Sequence, residues 1–225
     1  MEVALTTLGA FLGALFSILA TMFIEYEKKP KLKFEIEHPP HDGWQSPEPN
    51  VAQSRFLRVK VYNKPMPTPL HWLDRSAALQ CTGDVQFCRE SGTAIFSSPM
   101  KIRWSGSDEP NSPQLNTSGV VVYLFDARKY SAAFRRDCFP GVPELVDIAA
   151  RYDNEDECYG WSNESYLKGV RNPDFKLDKG RYLVKITIYF SGNIASHVFA
   201  LENYASRKDF RLEPASKAEK KRMRS

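Results

Sequence analysis

The residues best suited to chemistry are four histidines and four cysteines, and none of them forms a recognised catalytic or metal-binding motif. They are His38, His41, His71, His197, Cys81, Cys88, Cys138 and Cys158. The histidines lack the HExxH spacing that places two imidazoles on one helix face for zinc. The cysteines form no CxxC pair, so neither a zinc knuckle nor a dense disulfide scaffold is indicated. Structural or incidental roles are therefore favoured, and we assign no catalytic residue, metal site or cofactor.

Two further chemical signals have simple alternatives. Cys138 follows Asp137 and lies near Arg135 and Arg136, an environment that can lower a thiol pKa, but an ordinary cysteine is the simpler interpretation. The acidic run from 153 to 157 lacks the central glycine and terminal glutamate of an EF-hand loop, which favours a solvated loop. A metal-dependent enzyme or sensor is therefore retained only as an alternative.

The segment that must position everything else is the apolar run Val3–Ile24, which contains no charged residue and no proline. As a helix it would be roughly 33 Å long, enough to cross a hydrocarbon core of about 30 Å. A cleaved signal peptide is the alternative, but it would need a basic start and small residues near its end. Met22-Phe23-Ile24 is bulky and no Lys or Arg precedes the run. The sequence predicts a retained transmembrane helix over 3–24.

The basic residues next to this helix predict its orientation. Lys28, Lys29, Lys31 and Lys33 all follow the run, and none precedes it. Lysines near a span favour the cytoplasmic side of the membrane, so the large domain is expected in the cytoplasm, where its cysteines would be reduced. Lys28 and Lys29 are candidates for contact with lipid headgroups.

One face of the predicted helix carries small residues at every fourth position. They are Gly9, Gly13, Ser17 and Thr21. Small residues allow two helix backbones to approach closely in lipid, as in GxxxG dimers, although glycine is also common in membrane helices. We expect this face to associate with a second helix, either in another copy of the chain or in another protein.

The charge distribution separates the central domain from the C-terminal tail. From Tyr204 onward there are eight basic and three acidic residues, which leaves 23 basic and 24 acidic residues for the rest of the chain. A nearly neutral domain makes specific nucleic-acid binding unexpected. The tail, 203–225, is expected to be basic and disordered, with Lys220, Lys221 and Arg222 as possible lipid contacts.

The region 31–202 alternates apolar and polar residues in several short runs, which is typical of half-buried strands. Lys31–Glu37, Arg55–Asn63 and Ala77–Cys88 are such runs, and alternation in the last places Cys81 and Cys88 on opposite faces. Val120–Phe125 is apolar on both faces of a strand, which predicts a central strand. Ala127–Asp137 predicts a short helical insertion. The strongest pattern, Tyr182–Phe190, turns at Ser191-Gly192-Asn193 into a second strand, as in a β-hairpin.

The segment from Leu177 to Val184, with Gly180 and Tyr182, resembles the start of the penultimate strand in immunoglobulin-like sandwiches. In that family a tyrosine after a tight turn bonds back to the backbone, the tyrosine corner. The resemblance covers about 25 residues and implies structural roles for Gly180 and Tyr182; the Cys…Trp…Cys spacing of antibody domains is absent. The whole arrangement is similar to uncharacterised prokaryotic single-pass proteins with one sandwich domain, a likeness that implies no activity.

These observations predict a mainly β protein in which a transmembrane helix precedes an immunoglobulin-like antiparallel β-sandwich with a short insertion. The expected function is that of a membrane-anchored, non-enzymatic protein-interaction module at the cell membrane. Its expected partners are the lipid bilayer and, through the helix, a protein partner or a second copy. An accessory or sensor subunit of a larger membrane complex is the alternative.

Overall fold

The structure is a computed structural model that describes residues 2–42, 53–115, 118, 121–153, 155–204 and 209–223. Within this part of the chain a long N-terminal helix precedes antiparallel strands and three short helices. In chain order the elements are α1 (Glu2–Lys28), β1 (Leu32–Ile36), β2 (His41–Asp42), β3 (Ser54–Asn63), β4 (Ala78–Cys88), β5 (Met100–Lys101), β6 (Arg103–Trp104), β7 (Asn111–Leu115), β8 (Val121–Phe125), α2 (Ala127–Ala132), β9 (Arg136–Cys138), β10 (Pro143–Tyr152), β11 (Cys158–Gly160), α3 (Glu164–Leu167), β12 (Lys176–Leu177), β13 (Gly180–Phe190), β14 (Asn193–Asn203), β15 (Arg211–Pro214) and α4 (Lys217–Arg222). Single-turn 3-10 helices occupy Thr68–Leu70 and Pro173–Phe175.

Helix α1 is the one helix, among the described residues, that is long and apolar enough to cross a membrane. It extends past the predicted 3–24 to Lys28. It ends there because Pro30 disfavours a helical conformation at the residue before it, Lys29. The prediction of an N-terminal helix of membrane-spanning length and apolar composition is therefore confirmed.

The strands form two antiparallel sheets and one separate ribbon. The first sheet has the order β1-β3-β10-β11-β12, with β2 paired to β3 and β6 paired to β10. The second has the order β15-β14-β13-β4-β5, with β9 paired to β4. Among the described residues, strands β7 and β8 pair only with each other. The prediction of a mainly β fold with antiparallel sheets is confirmed, and β13 and β14 form the expected hairpin, closed by the pair Phe190 and Asn193.

The core lies between the inner faces of the two sheets. Alternate residues of β3 and β13 belong to one buried cluster, so side chains of both sheets pack together. They are Leu57, Val59, Val61, Val184, Ile186 and Ile188. Trp104 is wholly buried among them, and its indole N–H donates to the backbone O of Cys81 at 3.2 Å, which satisfies the polar atom of the side chain.

Glycine at position 83 allows β4 to approach β13. A Cβ atom there would lie 2.2 Å from the backbone O of Thr187, closer than van der Waals contact permits. On either side of Gly83 the alternation of β4 is maintained, because Cys81 faces the main core and Cys88 belongs to a small cluster on the other face of the sheet. The predicted separation of these two cysteines is therefore found in the structure.

The prediction of a central strand at Val120–Phe125 is wrong. Strand β8 pairs only with β7, and Val122, Tyr123, Leu124 and Phe125 are exposed. A strand with apolar side chains on both faces is typically covered on both faces. Within the described chain, nothing covers these apolar side chains of β8. The predicted insertion helix is shorter than expected and ends at Ala132, where the chain continues toward β9.

The C-terminal region is ordered over residues 209–223, which corrects the expectation of a disordered tail. Strand β15 adds an edge to the second sheet, and Phe210 and Leu212 are buried in the main core. Helix α4 begins with a capping box between Ser216 and Glu219, which satisfies amides of its first turn. Met223 packs with Cys88 on the outer face of the sheet. Residues 205–208, 224 and 225 of the predicted tail lie outside the described residues.

A buried ion network joins strands of the first sheet. Asp147 on β10 accepts from Arg58 Nε at 2.8 Å, from Arg103 Nη1 at 2.9 Å and from Ser105 Oγ at 2.7 Å. The side chain of Asp147 is 2% exposed and that of Arg103 is 4% exposed. Charges removed from water in this way are stable only when they are paired, so this carboxylate balances two guanidinium groups on neighbouring strands.

We expect Asp147→Asn to lower the free energy of unfolding by about 3–5 kcal/mol, because it leaves two largely buried arginines without their counter-charge. Urea unfolding of the full-length protein in detergent measures this change. Asp174→Asn is the matched control, since Asp174 pairs with Lys168 in an exposed ion pair worth less than about 1 kcal/mol. Equal losses in the two variants would contradict a structural role for the buried network.

Candidate functional site

The clearest constructed site in the molecule is the junction where the domain holds the end of α1. Arg75 Nη1 donates to the backbone O of Glu27 and of Lys29, both at 2.7 Å. The backbone N of Ser76 donates to the O of Lys28 at 2.9 Å. Carbonyls in the last turn of a helix have no partner within the helix. The loop before β4 therefore supplies the hydrogen bonds that α1 itself cannot make.

Asn63, the last residue of β3, ties the same loop to the start of β1. Its Oδ1 accepts from the backbone N of Lys31 at 2.9 Å, and its Nδ2 donates to the O of Ser76 at 2.8 Å. The backbone N of Lys64 donates to the O of Lys31 at 2.9 Å. Asn63 is fully buried. Hydrogen bonds therefore hold Lys29 and Lys31 on either side of Pro30, and the connection between α1 and β1 is fixed to the domain.

The lysines used to predict orientation surround this junction. Lys31 Nζ lies 2.8 Å from Glu27 Oε2 and 5.3 Å from the centre of the Tyr26 ring. Lys28 lies 3.9 Å from Glu25. Positive charge at a helix C-terminus also stabilises the helix dipole. Farther along β1, the hydrogen bond with Glu35 raises the pKa of Lys33, and the same bond lowers the pKa of Glu35.

The predicted association face lies along α1 and is open. Gly9, Gly13, Ser17 and Thr21 are all exposed. A Cβ atom added to Gly9 or Gly13 would meet no atom within 4 Å. Thr21 Oγ1 donates to the O of Ser17 at 2.9 Å, so its proton is used within the helix. The Thr21 hydroxyl is therefore not available to a second helix, whereas the two glycines allow its backbone to approach closely.

The basic residues predicted to contact lipid are not brought together. Lys28 and Lys29 lie at the junction, near the start of β4, whereas Lys220, Lys221 and Arg222 lie in the last turn of α4. Arg222 Nη1 donates to the O of Glu90, which follows the other end of β4. The two groups therefore lie at opposite ends of the second sheet.

Gly180 and Tyr182, the two residues with predicted structural roles, lie at the start of β13. The hydroxyl of Tyr182 donates to the O of Asp178 at 3.0 Å. A Cβ atom at position 180 would lie 3.4 Å from that hydroxyl, so glycine leaves room for the ring to fold back over the turn. This contact stabilises the turn before β13 and carries no chemistry.

The histidines do not converge. His197 stacks on Phe34 with ring centres 5.9 Å apart, and burial, assisted by the charge of Lys220, lowers its pKa. His71 Nδ1 lies 2.8 Å from the O of Thr68 on the exposed junction loop. Over the described ranges, no group of three or more His, Cys, Asp or Glu residues is placed to hold a metal ion.

The four cysteines are free and buried. A hydrogen bond with Cys81, together with burial, raises the pKa of Cys138. Burial also raises the pKa of Cys158 and of Cys88. Thiols with raised pKa values remain protonated at neutral pH and react poorly. The alternative of a reactive thiolate at Cys138 is therefore not supported by its surroundings.

The residues that build the junction were not found by sequence reasoning. Arg75 is separated from its two acceptors by 48 and 46 positions in the chain, and no local pattern marks such a contact. Asn63 carried a weak signal, since an asparagine between a strand and the proline-rich segment 65–69 often caps a turn. Its actual role, bridging two segments, depends on the tertiary fold.

We expect Arg75→Met to increase amide hydrogen exchange at Lys31 and Ser76 at least about fivefold, because losing the hydrogen bonds to two helix carbonyls costs about 1 kcal/mol or more of local stability. Exchange mass spectrometry on the full chain in nanodiscs measures this. Arg128→Met, on the exposed face of α2, is the control and should leave both peptides unchanged. Identical exchange in the two variants would mean that Arg75 does not hold the helix.

Comparison with known proteins does not assign the chain to a family. No family model matches the sequence, and neither a curated protein nor a solved structure is significantly similar to it. The function must therefore be argued from the junction, the exposed surfaces and the fold of the chain itself.

Proposed function

We propose that this chain is a single-pass membrane protein whose domain acts as a non-enzymatic interaction module held at the membrane surface. The observation that carries the proposal is that none of the apolar stretch Gly9–Lys28 is buried inside the protein, although the domain binds the end of α1. A core helix of a water-soluble protein would bury this surface, because exposing it to water is costly. Lipid is the environment that accommodates it.

The junction also supports retention of α1 over cleavage as a signal peptide. Removing α1 would take away the carbonyl of Glu27, one of the two that Arg75 Nη1 bonds to, and Arg75 is a buried residue. Losing a partner of a buried charged donor costs about 1–3 kcal/mol or more. The domain is therefore built to include the helix end.

The strand order supports an immunoglobulin-like assignment for the domain. The long strands β1, β3 and β10 are neighbours in one sheet, and β4, β13 and β14 are neighbours in the other. Strands A, B and E and strands C, F and G are arranged in this way in immunoglobulin-like sandwiches. The hydrogen bond from Tyr182 lies at the start of the penultimate long strand, as a tyrosine corner does. Strand β15, the ribbon and α4 are additions to that arrangement.

The domain is proposed to face the cytoplasm, because the lysines cluster at its end of α1. Nucleic acid is not a proposed partner, since the domain is nearly neutral. The small-residue face of α1 is proposed to pack against a second membrane helix. The open space around Gly9 and Gly13 supports this packing, since none of the residues that the structure describes covers them.

A second candidate function is that of an accessory subunit in a larger membrane complex. It is favoured by the ribbon of β7 and β8, whose apolar side chains Tyr123 and Leu124 are exposed. Exposed apolar patches on a folded protein usually mark binding surfaces. The base of the ribbon is fixed to the domain, since Asn111 Nδ2 donates to the O of Tyr166 at 3.3 Å.

We expect the full-length protein, extracted from its own host in mild detergent, to have a native mass above its 25.7 kDa chain mass. Gly9→Ile with Gly13→Ile should reduce that mass to one chain, because the added side chains separate the helix backbones. Phe11→Ile with Leu15→Ile, on the opposite side of α1, is the control and should leave the mass unchanged. Native mass spectrometry with identification of co-purifying chains measures both effects.

The composition of the complex separates the two candidates. A multiple of the chain mass indicates self-association, whereas one stoichiometric foreign chain indicates an accessory subunit. A wild-type protein that is a single chain, or a glycine variant that associates normally, would contradict association through the small-residue face.

A further inference from the structure

Several loops of the first sheet lie at the end of the domain where α1 leaves. Strand β1 begins at Leu32, which pairs with Asn63 at the end of β3. Asn63 also bridges to Pro140, and the backbone N of Gly141 donates to the O of Asn63 at 2.9 Å. The turn between β9 and β10 is therefore placed beside the helix junction, together with the loop that contains Arg75.

The second sheet presents its loops at the same end. Strand β4 begins at Ala78, two residues after Ser76, which bonds to α1. Thr82 pairs with Tyr189, so the hairpin turn at Ser191 lies beside the first residues of β4. Leu79 and Ser191 accordingly line one surface depression. The start of β14 is thus also at the junction end.

This end carries an unusual share of exposed apolar side chains. Apart from α1 and the ribbon, most of the large apolar side chains that are exposed in the described chain lie here. They are Trp72 (66% exposed), Leu79 (49%), Phe139 (53%), Val142 (48%) and Ile194 (68%). We refer to these five residues as the apolar tip. They come from four separate segments, so their common position is a property of the fold and not of one apolar run.

The junction prevents the apolar tip from turning away from α1. Trp72 lies three residues before Arg75, which bonds to the helix carbonyls, and Leu73 beside it is buried. Phe139 and Val142 flank Gly141, whose amide bonds to Asn63. If α1 crosses a bilayer, these side chains must therefore face the layer from which α1 emerges.

We propose that the apolar tip inserts into the interfacial layer of the bilayer that α1 crosses, so that the domain binds lipid directly as well as through its helix. The inference rests on the proposed membrane anchor. Tryptophan and tyrosine concentrate at the membrane interface because their rings are apolar with a polar edge, and Trp72 and Tyr26 are both exposed here. Lys29 and Lys64, also exposed at the junction, would meet anionic headgroups.

Lipid is favoured over a protein partner because the surface continues directly from α1. The helix axis, the lysines and the apolar tip belong to one end of the domain, so a bilayer around α1 covers the tip without any additional component. The apolar ribbon lies between β6 and α2 in the chain and not in the loops that hold α1, and it is left for a protein. The basic turn of α4 lies at the opposite end and does not take part.

The test uses the full chain in nanodiscs of phosphatidylcholine and phosphatidylglycerol, with a single environment-sensitive fluorophore on an introduced cysteine. The native cysteines are buried and should not react under native conditions. Labels at Trp72→Cys and Ile194→Cys report on the apolar tip. Phe16→Cys reports on α1 through quenching by lipid that is spin-labelled in its acyl chain. Tyr204→Cys, exposed just past the far end of β14, is the matched aqueous control.

We expect both tip labels to be quenched by headgroup-region spin-labelled lipid at least twofold more than the Tyr204 label, and to be protected from aqueous iodide. Tip labels that iodide quenches as strongly as the Tyr204 label, with the Phe16 label still quenched by lipid, would overturn the proposal and leave the anchor intact. A Phe16 label that lipid does not quench would overturn the anchor itself. Tip labels protected from iodide without quenching by lipid would indicate a protein contact and also overturn lipid binding.

Discussion

The hydrogen bonds from Arg75 and Ser76 to the last carbonyls of α1 are the interaction on which the rest of this account depends. A helix end has unpaired carbonyls, and here a loop of the domain pairs three of them, at 2.7–2.9 Å. Asn63 joins that loop to the first strand. The direction of α1 is therefore set by the domain, and any bilayer that surrounds α1 has a defined position relative to the two sheets.

This constraint gives each end of the domain a different character. The end with Arg75 carries lysines and exposed apolar side chains, which suit a lipid surface. The opposite end carries the basic turn of α4, held by the contact between Arg222 and Glu90, and so faces away from α1. The ribbon of β7 and β8 is a third surface, apolar and fixed at its base, that we assign to a protein partner. A rigid junction thus allows one chain to present separate surfaces to lipid and to protein.

The sequence predicted the features that are encoded locally. Continuous apolar residues predicted α1, and alternation over Tyr182–Phe190 predicted the β13–β14 hairpin, because both patterns follow from the period of the backbone. Prediction failed where tertiary contacts decide. Val120–Phe125 resembles a buried strand, but its described part, β8, pairs with no strand other than β7 among the described residues. The charges of the C-terminal region concealed Phe210 and Leu212, which fill the core. Arg75 has no local signal, because its partners are more than 40 residues away in the sequence.

The most direct test of a fixed junction is the distance distribution between spin labels on α1 and on the domain, measured by pulsed electron paramagnetic resonance in nanodiscs. The labels are placed at Phe16→Cys and Tyr204→Cys, and a second pair within the domain, Ser91→Cys and Tyr204→Cys, gives the width expected for a rigid body. Labelled chains are diluted with excess unlabelled chain, so that distances between associated copies do not contribute. The account predicts one distance peak between α1 and the domain that is no broader than the peak within the domain. A broad or multi-peaked distribution for the first pair, with a narrow one for the second, would show that the helix moves freely and would contradict the account.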